Sequence, residues 1–355
     1  MKIFHIAPFG ISRSGLYEAA RDLARADFLA GHEVKLVDRG FLIDGVEKYA
    51  DVGSVDDRAG FKLTTASIKE LDTADVIIDH CGIPLDWVAR NQVPIIFIVH
   101  GRPLDSFRVE QGSSNQTSFS YMSNIASWPR VKKMVYFWPE YEPFWSIFPK
   151  EKSAVFEYPA MDELRFNPDG IKHIIEDKHR GDFNILICDS WGRKDVDMFE
   201  IINGIIQAGK EIKNFKLHFY GVSTPIQPCW DVLYKEMYKL NCMGELCGRM
   251  LDMDQIYRGM DCVLTPHRII TRVVGEALLT GIPVIASEGC SVAQFLCDPH
   301  DPLSVANAIK QFINSDQKVN RENALRESKK FHLANYSKEM GKIYKEIMEN
   351  KQIIN

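Results

Sequence analysis

Short apolar runs alternate with amphipathic stretches along the whole chain. Lys2-Ile3-Phe4-His5-Ile6-Ala7 is the first run and predicts a strand. Pro8-Phe9-Gly10-Ile11-Ser12-Arg13-Ser14-Gly15 has turn chemistry. From Leu16 to Ala30, Ala19, Leu23, Ala26 and Ala30 recur at helical spacing, and Gly31 supplies the C-cap before a strand over His32 to Val37. Val76-Ile77-Ile78 and Pro94-Ile95-Ile96-Phe97-Ile98-Val99 are apolar on both faces, the pattern of parallel strands buried under helices.

A second series follows the polar stretch Asn167 to Asp182. Strands are predicted at Phe183–Ile187, Lys216–Tyr220, Cys262–Leu264 and Pro283–Ala286, with helices at Val196–Ala208 and Val273–Thr280. Met340, Ile343, Tyr344 and Ile347 give a terminal helix, Tyr336–Asn350, one apolar face. The pattern predicts an α/β protein of two Rossmann-like, doubly wound domains, residues 1–166 and 183–333, joined by a linker at 167–182. Two such domains facing each other leave a cleft at the carboxyl ends of their strands, so the loops there are where chemistry is sought.

Composition narrows the classes. The 355 residues are 45% hydrophobic and 26% charged, ordinary globular values that exclude disordered and fibrous chains. No apolar run nears the roughly 18–20 residues that span a bilayer. A net charge of -5 argues against coating nucleic acid by bulk charge, though not against a local basic groove. The eight cysteines form no C-x-x-C pair, and no metal-site spacing occurs. With an amino terminus that enters a strand directly and lacks a cleavage site, this predicts a cytoplasmic protein with reduced thiols.

Several polar positions stand out at predicted strand ends. Arg272 and Glu276 share a face of an otherwise apolar helix, as an i,i+4 ion pair or as a carboxylate awaiting ligand hydroxyls. Ser190-Trp191-Gly192-Arg193-Lys194 follows one strand, His100-Gly101-Arg102 another, and His80 comes after Val76-Ile77-Ile78-Asp79. The loop from Gly10 to Gly15 can offer backbone N–H groups to an anion, with Arg13 adding charge. Asp195-Val196-Asp197 and Asp252-Met253-Asp254 fall where helices should start, which favours N-capping over a metal. An aromatic stretch containing Trp128, Tyr136, Phe137, Trp138, Tyr141, Phe144, Trp145 and Phe148 carries interleaved Arg130, Lys132 and Lys133. It reads as core or as a stacking surface for sugars or bases.

The run Glu276-Ala277-Leu278-Leu279-Thr280-Gly281-Ile282-Pro283-Val284-Ile285-Ala286 resembles the donor-site signature of GT-B glycosyltransferases, particularly the retaining family-four type. Gly15 and Gly31-His32-Glu33-Val34 are similar to the family's amino-terminal unit. Tyr158-Pro159-Ala160-Met161-Asp162 with Phe166 and Pro168 resembles the segment before its domain crossover. Glu245-Leu246-Cys247-Gly248-Arg249, with Tyr257 and Met260 to Pro266, resembles the stretch that cradles the nucleotide base.

The resemblance implies an acceptor-binding domain first, with a C-terminal helix, 334–355, returning to it, and a nucleotide-sugar domain second. It implies retaining, metal-independent transfer from a nucleoside-diphosphate sugar, with no cofactor. Glu276 matches the second Glu of the family's E-x7-E motif, which binds ribose, while the first is replaced by Arg268. Arg193 and Lys194 fall to the departing diphosphate, His100 to the donor sugar, and Gly15, Gly248, Arg249, Arg268 and Arg272 to donor binding. Arg13, His80, Arg102 and Trp138 fall to the acceptor, which could be a small molecule, glycan, lipid or modified DNA. Oligomeric state is left open.

Two other readings compete. A phage-type DNA glycosyltransferase acting on hydroxymethylated pyrimidines fits the aromatic and basic stretch. A catalytically silent nucleotide-sugar-binding subunit fits the loss of the first Glu at Arg268. A dinucleotide dehydrogenase is disfavoured, since no G-x-G-x-x-G follows the first strand.

Overall fold

The structure is a computed structural model. It describes residues 1–7, 15–38, 42–43, 46–47, 55–56, 62–65, 68–80, 92–101, 119–188, 198–221, 228–248, 250, 252–265, 267 and 270–354. The chain divides into two compact units, Met1–Asp162 with His332–Asn355, and Glu163–Phe331.

In the first unit the strands are β1 (Lys2–Ala7), β2 (Glu33–Asp38), β3 (Leu42–Ile43), β4 (Val46–Glu47), β5 (Val55–Asp56), β6 (Lys62–Thr65), β7 (Val76–Asp79), β8 (Ile95–Val99), β9 (Val131–Phe137) and β10 (Ser153–Phe156). Eight of them form one sheet in the order β10-β9-β8-β7-β1-β2-β6-β5, while β3 and β4 pair separately. Every pairing in the large sheet is parallel except β5 with β6. Strand order reverses between β1 and β7, the switch point of a doubly wound sheet. The central strands are buried on both faces, which is why they read as unbroken apolar runs. Each fully buried Ile, Val or Phe among them contributes about 1.5–3 kcal/mol.

The Gly15–Leu29 helix ends where Gly31 takes a positive φ of 87°, the left-handed cap conformation that a side chain resists. The Leu333–Ile354 helix packs on the first unit: Ser337 donates to the Ala26 carbonyl at 3.0 Å, and Lys133 meets Glu346 at 3.0 Å. Arg25 is ion-paired with Asp162, both buried.

The second unit holds β11 (Phe183–Cys188), β12 (Phe215–Tyr220), β13 (Met243–Leu246), β14 (Cys262–Leu264), β15 (Val284–Ser287) and β16 (Phe295–Cys297). All pair in parallel in the order β13-β12-β11-β14-β15-β16, with the switch point between β11 and β14. The Met198–Glu211 helix buries Ile201, Ile202, Ile205 and Ile206 at helical spacing against this sheet and the Pro302–Ile313 helix. Gly204 permits that approach, because a Cβ there would lie 2.6 Å from the Val305 Cβ.

The polar stretch 167–182 packs within the second unit. Arg258, on the Met253–Gly259 helix, donates to the carbonyls of Arg165, Asn167 and Ile171, each at 2.9 Å, and pairs with Asp254 at 3.0 Å. Asp252 occupies the N-cap of that helix but makes no side-chain capping bond. Capping therefore does not account for the Asp252-Met253-Asp254 triplet, since Asp254 turns to Arg258. The Asp195-Val196-Asp197 triplet lies outside the described residues.

Candidate active site

Glu276 sits on the Arg272–Leu279 helix, which follows β14 at the switch point of the second sheet. Val274, Ala277 and Leu278 anchor one face of this helix in the core, and Gly281, at φ 76°, turns the chain into β15. Arg272 donates from Nε and Nη2 to Glu276 Oε1 at 3.0 and 2.7 Å. The Tyr257 hydroxyl donates to Oε2 at 3.1 Å. The predicted i,i+4 pair exists, yet on a closed face rather than a solvated one: the side chains are 14% and 10% exposed.

A carboxylate in such a setting needs this many donors to stay charged. Burial, then Glu276, then Cys188 at the end of β11 push the Tyr257 phenol well above its ordinary value. Tyr257 thus links the Met253–Gly259 helix, which precedes β14, to Glu276 on the helix that follows it. Phe166 packs edge-on against the Tyr257 ring at 6.1 Å.

A second polar cluster lies at the ends of β12 and β13. Tyr220 donates to Glu245 Oε2 at 2.6 Å, and His173 Nε2 lies 3.0 Å from the same oxygen. The backbone N–H of Glu245 donates to His218 Nδ1 at 3.1 Å, so the His218 proton sits on Nε2, which faces Asn184 Oδ1 at 3.2 Å. Burial holds His218 below an ordinary imidazole, in keeping with that neutral ring. Burial also acts to raise the Glu245 carboxyl, but the contacts with Tyr220 and His173 outweigh it and hold the group below the ordinary carboxylate range. Burial and Glu245 push Tyr220 far up. Beside this cluster, Gly248 accepts from the Gly221 N–H at 3.0 Å.

In the first unit, His80 and His100 follow adjacent strands β7 and β8, and His80 Nδ1 lies 2.8 Å from His100 Nε2. His80 is closed to solvent and His100 half-buried. Burial, then His100 and His5, hold His80 well below an ordinary imidazole. Gly15 opens its helix and is exposed.

The aromatic stretch is largely core: Tyr136, Trp145 and Phe148 are buried together, the last two with near-parallel rings 5.4 Å apart. Trp138 is also buried, at a left-handed φ of 68° directly after β9, against Phe137 and Tyr141. Only Phe144 of the aromatic residues named from this stretch is exposed.

Arg13, Arg102, Arg193, Lys194, Arg249 and Arg268 lie outside the described residues. Of the described site residues, Glu276 meets Arg272 in the second unit and His80 meets His100 in the first, while Gly15, Trp138 and Gly248 stand apart from these pairs. Tyr220, His173, His218 and His5 carried no local sign of their partners; only their polarity among apolar strand residues set Tyr220, His218 and His5 apart. Among the described residues, no three His, Cys, Asp or Glu side chains group as metal ligands, and no helix is long and apolar enough to cross a membrane. Cys188, Cys242, Cys247, Cys262, Cys290 and Cys297 are free thiols.

Residues 191–315 match the family model of glycosyl transferases group 1. Solved structures resemble the chain over nearly its whole length. HepE from Anabaena, in complex with UDP and glucose, is 15% identical with a TM-score of 0.66, covering 98% of this chain and 100% of its own. A glycosyltransferase from Rickettsia africae is 14% identical with a TM-score of 0.63, covering 98% and 99%. An alpha-glucosyltransferase in complex with UDP and a 13-mer DNA containing a HMU base is 12% identical with a TM-score of 0.64, covering 97% and 99%. These likenesses establish the fold, two Rossmann-like domains of the GT-B kind. No curated protein sequence matches the chain.

Proposed function

We propose that this protein transfers a sugar from a nucleoside-diphosphate sugar to an acceptor hydroxyl, with retention at the anomeric carbon and without a metal. The observation that carries the reading is Glu276. It is a buried carboxylate at a sheet switch point, held by Arg272 and Tyr257, within the segment that matches glycosyltransferases. Arg272 takes both lone-pair directions of Oε1, so a ribose hydroxyl would donate to Oε2, beside the Tyr257 hydroxyl. The Glu245 cluster and the Gly248 turn lie at the neighbouring strand ends, suited to the base.

Arg272 is bound to Glu276 through two nitrogens, so its first role is to keep that carboxylate charged and oriented. Phosphate neutralisation falls to Arg193 and Lys194, with Arg249 and Arg268 as further cations, where the guanidinium groups would stabilise charge developing on the departing diphosphate. His80 belongs to the acceptor side, with Arg13, Arg102 and Trp138, while His100, 2.8 Å from His80, falls beside the donor sugar and Gly15 to donor binding. The relatives' complexes with UDP and UDP-glucose support a uridine nucleotide donor.

The DNA-modifying alternative draws on the DNA-bound relative. The burial of Trp138, Trp145, Tyr136 and Phe148 weighs against a stacking surface there. Titration of the purified chain with UDP and with a panel of nucleotide sugars tests the reading. Glu276→Ala is expected to weaken binding at least tenfold, and no binding of any nucleotide sugar overturns it. Sugar transfer to hydroxymethylated DNA, set against glycan and lipid acceptors, separates the acceptor classes.

A further inference from the structure

Four side chains of the first unit form one hydrogen-bonded file. Asp27 Oδ2, on the Gly15–Leu29 helix, lies 3.0 Å from His5 Nε2 on β1. His5 Nδ1 lies 2.9 Å from His80 Nε2, and His80 Nδ1 lies 2.8 Å from His100 Nε2. Parallel pairing sets the file. His5 is in register with Ile78, and Ile78 with Ile96; two-residue steps carry the same pleat face to His80 and to His100. The imidazole planes are tilted by only 19° and 29°, with centroids 5.2 and 5.1 Å apart, so the rings meet edge to edge through their nitrogens.

The file is closed at one end and open at the other. Asp27 and His5 are fully buried, His80 is 1% exposed, and His100 is half-buried. Asp27 Oδ2 also accepts from the Tyr344 hydroxyl at 2.7 Å. A carboxylate oxygen is an acceptor only, so His5 Nε2 must carry a proton. In the neutral file His5 Nδ1 then accepts from His80 Nε2–H, and His80 Nδ1 accepts from His100 Nε2–H. One added proton reverses both links without breaking either. His100 takes it on Nδ1 and passes its Nε2 proton to His80 Nδ1; His80 passes its own Nε2 proton to His5 Nδ1. The charge comes to rest on His5, against Asp27, and His80 is neutral in both states.

We propose that Asp27, His5, His80 and His100 are a proton relay, which admits a proton at His100 and stores its charge on His5 beside Asp27. Its use in catalysis rests on the glycosyl transfer proposed above. The acceptor O–H bond breaks and its proton goes to His100, while the oxygen's electron pair forms the bond to the anomeric carbon. The bond from that carbon to the diphosphate breaks with its pair leaving on the diphosphate. The relay later returns the proton to solvent by the reverse hops. His100 is then the catalytic residue, and His80, His5 and Asp27 position and charge it.

Among the described residues, the other titratable groups around the file are few. Tyr344 and Tyr336 come from the C-terminal helix, and burial pushes both phenols far up, out of the range in which imidazoles titrate. His32 meets the Tyr344 ring edge-on at 5.5 Å. Arg25, on the helix of Asp27, is paired with Asp162. Asp79 pairs in register with Ile6 and Phe97, on the opposite pleat face from His80. Phe137 packs against His100 at 6.2 Å.

Ring-nitrogen NMR of the full chain labelled with 15N-histidine, without substrate, between about pH 5 and 9 tests the relay. The expected result is one shared midpoint, at which His80 and His100 exchange Nε2–H for Nδ1–H while His5 becomes imidazolium. Asp27→Asn is expected to lower that midpoint by at least one pH unit; the wild-type spectra decide the matter if that variant does not fold. Separate midpoints, or imidazolium at His100 with His80 unchanged, overturn the relay. With an active donor and acceptor, His5→Gln is expected to cut kcat at least tenfold, to leave KM for the donor within twofold, and to change the acid limb of the pH profile. Sugar transfer without the shared tautomer exchange overturns the relay alone, whereas the exchange without transfer from any nucleotide sugar overturns the glycosyltransferase reading alone.

Discussion

The Tyr257 hydroxyl reaches the Glu276 carboxylate at 3.1 Å from a different helix, on the oxygen that Arg272 does not hold. The two contacts divide the carboxylate between them and fix its plane. Tyr257→Phe removes one donor and leaves Oε2 buried. We expect a loss of about 1–2 kcal/mol in stability and a three- to tenfold weaker affinity for UDP, measured by calorimetry. An affinity unchanged within error would show that Tyr257 does not orient Glu276 for a ligand.

Arg258 binds three backbone carbonyls of the 165–171 segment as well as Asp254. Arg258→Met keeps the stem but strands those acceptors. A cost of about 3–5 kcal/mol in urea unfolding is expected, as for breaking a buried charged network. A loss under about 1 kcal/mol would mean that water replaces the guanidinium without penalty.

Glu245 is held below the ordinary carboxylate range, so it binds protons more weakly folded than unfolded. Its contribution is complete above the ordinary carboxylate range near pH 4.5 and is lost as pH falls through the lowered folded value. Glu245→Gln is expected to cost roughly 1–2 kcal/mol at pH 7, a figure reduced for the solvent that reaches the cluster, and progressively less below pH 4. Thermal unfolding of both proteins across that range reads the difference. A gap that does not narrow on acidification contradicts the charged assignment.

Gly204 faces Val305 with no room for a side chain, a Cβ falling 2.6 Å from its Cβ and 2.8 Å from the Pro302 carbonyl. The intrinsic preference of helices for alanine would stabilise Gly204→Ala by about 1 kcal/mol. Overpacking costs typically 1–3 kcal/mol, and the backbone carbonyl cannot move aside cheaply. The net expectation is destabilisation, read as a lower Tm. A raised Tm would mean that the Pro302–Ile313 helix shifts freely.

The local pattern of the sequence determined much of this protein. Unbroken apolar runs at Val76–Ile78 and Pro94–Val99 marked buried parallel strands, because burial on both faces removes polar residues from the pleat. Gly31 and Gly281 marked helix ends, because each needs a positive φ. Arg272 and Glu276 were legible together, since an i,i+4 pair is a property of one helix.

What only the tertiary structure decided depends on strand order and register, which no local period encodes. Trp138 and Trp145 proved buried, because hydrophobicity alone does not say which side of a ring meets water. Asp254 turned to Arg258 and Arg165, partners that capping chemistry does not foresee. Glu245 and His173 are 72 residues apart, and His5 and His80 are 75 apart. His5 and His80 meet because parallel strands place non-adjacent residues at one height of a sheet, whereas His173 is brought to Glu245 by the irregular 167–182 stretch, tied at its own N–H to the Gln255 carbonyl; hydrogen bonds need such placement to within a fraction of an ångström.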